Sequence, residues 1–447
     1  MRREVYERLL HWKRTPNHGT LEVSGARQVG KTYLVNKFAD EEYRKKVYIN
    51  LLEMDGELFL EHYHDIRREM KAGNRIENPV LELMKRYCAG FEDTEDTLVI
   101  IDEIQESPDI YNRIREFTRY LKCDFIVTGS YLGRILNKAF KYSSGDMSSL
   151  EVHTLSFEEF LMAAGEYGEF ESLDIFGGSE AAVYEQLSDL YRIYSAIGGY
   201  PAVVLRYFEG ASVKECQDEL VQIIRLFTAE SRRYFEDILD YEAYGNLFCS
   251  IARVLVREKK GLKEDSFSEE LQGIVAKDYS SNLNKAAVNR AIDWLYSSGI
   301  VGFAGKIVNC NILEFRAKSR CFFMDMGLTT YFLQQIGCEQ ADIDGVNCET
   351  FVYLELKRRM GRGELAFEMP AFATYGSGEV DFFTKSLKTH KVYGIEVKSG
   401  KNSGKTAMEV LEKEKIDYLL FAKGSTHGGI ADNIYTIPIY GISKFVF

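Results

Sequence analysis

The sequence predicts an α/β protein organised around a parallel sheet, and three stretches carry that prediction. Gly25-Ala26-Arg27-Gln28-Val29-Gly30-Lys31-Thr32 fits the pattern G-x-x-x-x-G-K-S/T. Thr97-Leu98-Val99-Ile100-Ile101-Asp102-Glu103 is an apolar run ending in two acids, and Cys123 to Ser130 is another that ends in Thr128-Gly129-Ser130. Short runs that are apolar throughout read as strands buried on both faces, as the strands of parallel sheets are.

The elements around these stretches follow in order. Thr20-Leu21-Glu22-Val23 reads as a strand leading into the glycine loop, and Tyr33, Leu34, Val35 and Phe38 give the next segment helical apolar spacing. Such a loop closes backbone N–H groups around phosphate oxygens, and the helix that follows aims its positive end at the anion. ATP is therefore the expected ligand, bound by Gly25, Ala26, Arg27, Gln28, Val29, Gly30, Lys31, Thr32 and Tyr33. Thr32 and Asp102 are expected to hold Mg²⁺, and Glu103 to orient or deprotonate the attacking water. Lys31 and Ser130 complete the expected catalytic set, with Thr128 or Ser130 sensing the γ-phosphate. Lys46 to Leu51 and Glu151 to Leu155 read as further strands, and Ser156 with Glu159 as a capping box opening a helix. Arg134 is either a transition-state arginine for a neighbouring subunit or a solvated helix residue.

A chain of 447 residues is too long for one core and predicts two to four domains. Apolar residues make up 45%, and no apolar run approaches the roughly 20 residues that span a bilayer. The amphipathic, charged N-terminus is unlike a signal peptide, so a cytoplasmic protein without a membrane partner is expected. Eight cysteines without a C-x-x-C pair read as reduced thiols rather than metal ligands. His62 and His64, two apart, fall on different faces of a helix. The net charge of -12 argues against a coat of nucleic acid. Almost all of the acidic excess precedes Tyr241, which leaves DNA or another protein open as a partner of the C-terminal half.

The set GARQVGKT, LVIIDEIQ, VTGSYLGRIL, LSFEEFL and GGYPAVV, in this order, resembles the prokaryotic AAA-type ATPases that carry a C-terminal domain of unknown function. KSRCFFMDMGLTTYFL and GEVDFF…YGIEVKSG resemble that family's C-terminal signatures, so the resemblance spans nearly the whole chain. The chain departs from the family at Ser143-Ser144-Gly145-Asp146-Met147, where an L-x-G-R run is common, and homo-oligomer formation stays open. The resemblance implies a P-loop ATPase core over 1–160 and a helical lid over 161–240, with Pro201 of Gly198-Gly199-Tyr200-Pro201 against the nucleotide. The bland alternative for that sequence is a turn between helices.

Beyond the lid, 241–315 runs as several helices and an alternating hairpin, the order of a winged helix, which serves either to bind DNA or to join domains. In the last segment, 316–447, Glu379 to Phe383 and His390 to Ser399 read as strands. Glu396 and Lys398, two apart, share a face, and pairing of the strands would bring Asp381 beside them. Two carboxylates and a lysine suit a divalent metal and an activated water, and resemble the D…E-x-K core of restriction-endonuclease-like folds, with Glu349 as a further acid. Cross-strand charge pairing remains the alternative. The expected whole is an ATP-hydrolysing AAA-type ATPase coupled to a nuclease-like domain that binds nucleic acid or a protein partner, or else a slow nucleotide-dependent switch or scaffold with a non-catalytic C-terminal interaction domain.

Overall fold

The structure is a computed structural model that describes residues 3–129, 147–235, 241–259, 267–279, 285–311, 315–398, 404–424 and 427–447. It divides into two compact units, Arg2–His153 and Thr154–Phe447.

In the first unit, β1 (Thr20–Ser24), β2 (Lys45–Asn50), β3 (Thr97–Asp102), β4 (Asp124–Thr128) and β5 (Met147–Glu151) form one sheet in the order β2-β3-β4-β1-β5. Every neighbouring pair is parallel. Leu98, Val99, Ile100 and Ile101 are fully buried, as the unbroken apolar run required. Parallel pairing sends all five strand ends to one edge, and β4 lies between β1 and β3. One expected strand is displaced. Glu151 to Leu155 is not a strand, because β5 runs from Met147 and stays in register with β1 only until Ser24, where the partner turns away into the glycine loop.

The second unit opens with the helix Phe157–Ala164. Its capping box forms as expected: the Glu159 backbone N–H donates to Ser156 Oγ at 3.1 Å and the Ser156 N–H to Glu159 Oε2 at 2.9 Å. Helices Ala181–Ile197, Pro201–Phe208, Val213–Phe235, Tyr241–Lys259, Phe267–Tyr279 and Lys285–Ser297 precede a mixed sheet of eight strands. These are β6 (Val301–Ile307), β7 (Phe315–Phe323), β8 (Ala371–Tyr375), β9 (Gly378–Lys385), β10 (Val392–Lys398), β11 (Tyr418–Lys423), β12 (Gly429–Ala431) and β13 (Ile434–Pro438), in the order β12-β13-β11-β10-β9-β8-β6-β7.

The hairpin of the expected winged helix is thus part of the C-terminal sheet. β6 pairs antiparallel with β7 and parallel with β8, with Gly305 opposite Ala371 and Ile307 opposite Ala373. A boundary between 315 and 316 splits this hairpin. Alternation marks a strand in sequence, but it does not name the strand's partner.

Candidate functional site

The glycine loop leaves the end of β1, where Gly25 has no room for a side chain. Gly25 sits at φ 142°, and a Cβ there would lie 2.1 Å from the Val152 carbonyl oxygen. Gln28 and Gly30 also hold left-handed backbone angles, φ 65° and 89°, and Gly30 stands immediately before the helix Lys31–Glu42. That helix has no acid in its first turn, which leaves its positive end uncompensated by a carboxylate there. Lys31 Nζ donates to the carbonyls of Gly25 at 3.0 Å and Ala26 at 2.8 Å, so its ammonium spans the loop from within. Val29 is buried, and its carbonyl accepts from Arg3 at 2.9 Å. Tyr33 is exposed one residue further along the helix than Thr32.

The end of β3, one strand removed from β1 across β4, brings the expected acids to the loop. Thr32 Oγ1 donates to Asp102 Oδ2 at 2.7 Å, across 70 residues of sequence. The Tyr48 hydroxyl, from β2, donates to the same oxygen at 2.8 Å, and the Glu103 N–H donates to Asp102 Oδ1 at 2.9 Å. Burial raises the Tyr48 pKa, and the Asp102 charge raises it further, so the hydroxyl keeps its proton. Glu103 has φ 54°, and its carboxylate accepts a hydrogen bond from the Gln105 side chain. Thr128 is fully buried at the end of β4, and its Oγ1 has no hydrogen-bond partner among the described residues. Ser130 and Arg134 lie outside the described residues. A hydroxyl and a carboxylate of hard oxygen character, side by side below the loop, suit a divalent cation such as Mg²⁺.

Sequence reasoning missed Tyr48 and Arg3. Tyr48 lies inside a stretch already read as a strand, and only the parallel register that sets Asn50 opposite Asp102 points its hydroxyl to the site. For Arg3, whose guanidinium reaches both the Val29 and His153 carbonyls, the sequence carries no signal.

The Gly198-Gly199-Tyr200-Pro201 turn belongs to the second unit, and its glycines answer to local packing. The Gly199 N–H donates to Asp325 Oδ2 at 2.8 Å, while Asp325 Oδ1 accepts from Gly327 at 2.9 Å and Leu328 at 3.2 Å. A Cβ on Gly198 would lie 2.1 Å from Asp325 Oδ1, and one on Gly199 2.2 Å from the Leu155 carbonyl. Burial pushes the Asp325 pKa up, and these three N–H groups pull against it. Pro201 is the first residue of the helix Pro201–Phe208.

The C-terminal residues also come together. β9 and β10 pair antiparallel with Ile395 opposite Phe382, and the Val397 N–H donates to Asp381 Oδ2 at 2.7 Å. Lys398 Nζ lies 2.5 Å from Glu396 Oε2. Glu349, on the helix Gln340–Gly361, pairs at 2.5 Å with Lys259, the last residue of the helix Tyr241–Lys259. Burial raises the Asp381 pKa, and the Glu349 charge adds to it; Glu396 is pushed up to about 7 by burial and by Asp381. Among the described residues, no three His, Cys, Asp or Glu side chains group as a metal ion requires. All eight cysteines are free thiols. No helix of the described residues is long and apolar enough to cross a membrane.

A parallel sheet with a phosphate loop at the end of β1 and two acids at the end of β3, with β4 between them, is the arrangement of a P-loop nucleotide-binding domain. Residues 17–161 match the profile of the family described as AAA domain. No curated protein matches the sequence. Among solved structures the chain is similar to a Walker-type ATPase of Pyrococcus abyssi, with 14% identity, a TM-score of 0.44, and coverage of 74% of this chain and 95% of that one. It is also similar to the ORC2 protein of Aeropyrum pernix in ADPNP–ADP complexes, at 12% identity and TM-score 0.30, covering 74% and 91%. A third similarity is to the RuvB Holliday junction branch migration motor of Thermotoga maritima, at 13% identity and TM-score 0.29, covering 67% and 88%.

Proposed function

We propose that this chain binds ATP with Mg²⁺ and hydrolyses it to ADP and phosphate at the glycine loop. The observation that carries the reading is the 2.7 Å bond from Thr32 to Asp102, which fixes the loop helix to the strand that delivers the acids. Thr32 and Asp102 would hold the magnesium ion, which when bound neutralises charge on the phosphates. Lys31 exchanges its hold on the Gly25 and Ala26 carbonyls for phosphate oxygens, and the loop N–H groups stabilise the charge that develops on them. Glu103, once released from Gln105, orients the attacking water. Thr128 has a buried hydroxyl free to donate toward the γ-phosphate, and Ser130 and Pro201 keep their proposed roles as γ-phosphate sensor and nucleotide contact. The test is Glu103→Gln, which should retain nucleotide and lose hydrolysis. Wild-type turnover in that variant would remove Glu103 from the reaction.

A second reading is a slow switch, in which ATP occupancy sets how the second unit engages nucleic acid or a protein. The resting bonds of Lys31 and Glu103 favour it, since both groups must change partners before reaction. Steady-state turnover per site with and without DNA separates the two. Strong stimulation supports a DNA-coupled ATPase, and slow, unstimulated turnover supports the switch. The nuclease-like reading of the last segment rests on Asp381, Glu396, Lys398 and Glu349. A Mn²⁺-dependent nuclease assay tests it, with Asp381→Ala and Lys398→Ala abolishing any cleavage that belongs to this site.

A further inference from the structure

Gln105 stands two residues beyond Glu103 and is tied to two parts of the nucleotide site at once. Its side-chain amide faces the Glu103 carboxylate, and because a carboxylate only accepts, the group turned to it is the NH₂, which donates from Nε2 to Glu103 Oε2. The carbonyl end of the same amide lies against Gly129, the residue that follows Thr128 at the end of β4. A Cβ on Gly129 would lie 2.2 Å from Gln105 Oε1. Gln105 is buried, where a hydrogen bond to a charged group is stronger than at the surface.

The turn that carries Gln105 is held on both sides. The Glu106 N–H donates to the Glu103 carbonyl at 3.0 Å and the Ser107 N–H to the Ile104 carbonyl at 3.2 Å, while Ser107 Oγ caps the helix Pro108–Tyr111 by accepting from Ile110 at 3.3 Å. Ile104 and Ile110 share one core cluster with Ile101 of β3 and Val127 of β4. With the backbone fixed, the Gln105 side chain is the part that can answer to Gly129, and Glu103 is what it holds. A carboxylate that orients a water must turn an oxygen toward it, and Oε2 is taken while Gln105 donates to it.

We propose that Gln105 is a positioning residue that acts as a brake on Glu103, released when the end of β4 shifts Gly129 against its amide. The inference rests on the ATPase reading and names how that site is regulated. A γ-phosphate met by Thr128 is then reported through Gly129 and Gln105 to the residue that orients the water. A group that is competent for only part of the time lowers the observed rate by that fraction, so the brake shows as slow basal turnover.

Steady-state ATP turnover of the full chain with Mg²⁺, measured beside equilibrium binding of a fluorescent ATP analogue, tests this. Gln105→Leu keeps the bulk of the side chain and removes the donor. Its kcat is expected to rise at least about fivefold with nucleotide affinity unchanged. Gly129→Ala, whose added methyl meets Gln105 Oε1, should raise kcat in the same sense, and it serves as the second variant should leucine disturb the fold. Thermal denaturation reports that each variant is folded, and adding Glu103→Gln to either should abolish the gain. A folded Gln105→Leu or Gly129→Ala chain that turns over ATP at or below the wild-type rate would overturn the inference, as would a gain that survives Glu103→Gln. Lys31→Ala separates the inference from the reading beneath it. Turnover that persists without Lys31 removes the ATPase reading and the brake with it, whereas turnover lost in Lys31→Ala but not raised in Gln105→Leu removes the brake alone.

Discussion

The Tyr48 hydroxyl and Asp102 Oδ2 are 2.8 Å apart, and Thr32 Oγ1 donates to that same oxygen at 2.7 Å. One carboxylate oxygen therefore receives two hydroxyl donors from different elements. Tyr48 fixes the rotamer of Asp102 before a cation arrives, so Tyr48→Phe should leave the fold intact and loosen the geometry of the acid. ATP turnover is expected to fall roughly five- to tenfold with nucleotide affinity changed little, a loss of about 1 kcal/mol in the transition state. Parallel measurements of turnover and of nucleotide affinity check this; an unchanged turnover number would deny Tyr48 that positioning role.

Arg3 holds the Val29 carbonyl at 2.9 Å and the His153 carbonyl at 2.7 Å, so the start of the chain braces the glycine loop. Arg3→Ala should weaken nucleotide binding by about tenfold, since a buried charged hydrogen bond contributes roughly 1.5–3 kcal/mol to the fixed loop conformation. Equilibrium binding of a fluorescent ATP analogue measures the effect, and full affinity without the arginine would mean the loop holds its shape unaided.

Asp325 accepts from three backbone N–H groups and is fully enclosed. In Asp325→Ala those donors lose their acceptor where water does not reach, at a cost of about 3 kcal/mol or more. Urea denaturation of the Thr154–Phe447 unit within the full chain should register it as an earlier transition. A transition at the wild-type midpoint would mean that other acceptors replace the carboxylate.

His18 donates to or accepts from Asp124 at 2.9 Å, with the Tyr43 hydroxyl on the other carboxylate oxygen at 2.6 Å and the Trp12 ring against the imidazole. The bond to Asp124 raises the His18 pKa above its ordinary 6.5, against an opposing effect of burial. A histidine raised in the folded state contributes stability that is fully present below the ordinary pKa and is lost as pH rises through the folded one. The Tm difference between wild type and His18→Gln should therefore be largest below the ordinary pKa of 6.5 and shrink as pH rises above it. A difference that does not vary with pH would place the imidazole outside this titration.

How much of this was legible in the residues divides along physical lines. The glycine loop, β3 and β4 could be read because each is local: left-handed glycines, and apolar runs too short and too uniform for an amphipathic helix. The meeting of Asp381, Glu396 and Lys398 was also legible, since period two places i and i+2 on one face and adjacent strands do the rest. Lys259 and Tyr48 were not, because their partners are set by helix placement and parallel register, which leave no mark on neighbouring residues. The glycines of Gly198-Gly199-Tyr200-Pro201 were visible as a turn, but what each must clear, the Asp325 carboxylate for Gly198 and the Leu155 carbonyl for Gly199, lies far along the chain.

The pairing of Gly305 with Ala371 also has a practical consequence for how this chain is divided in the laboratory. A fragment beginning at residue 316 would keep β7 but lose β6, the strand that sits between β7 and β8. The edge of β8 would then present Ala371, Phe372 and Ala373, all buried in the whole chain, with unpaired backbone groups, a template for strand addition by other molecules. Such a fragment should be recovered as aggregate, whereas one beginning at residue 154 keeps the sheet closed on that side and should be recovered as a dispersed protein by size-exclusion chromatography.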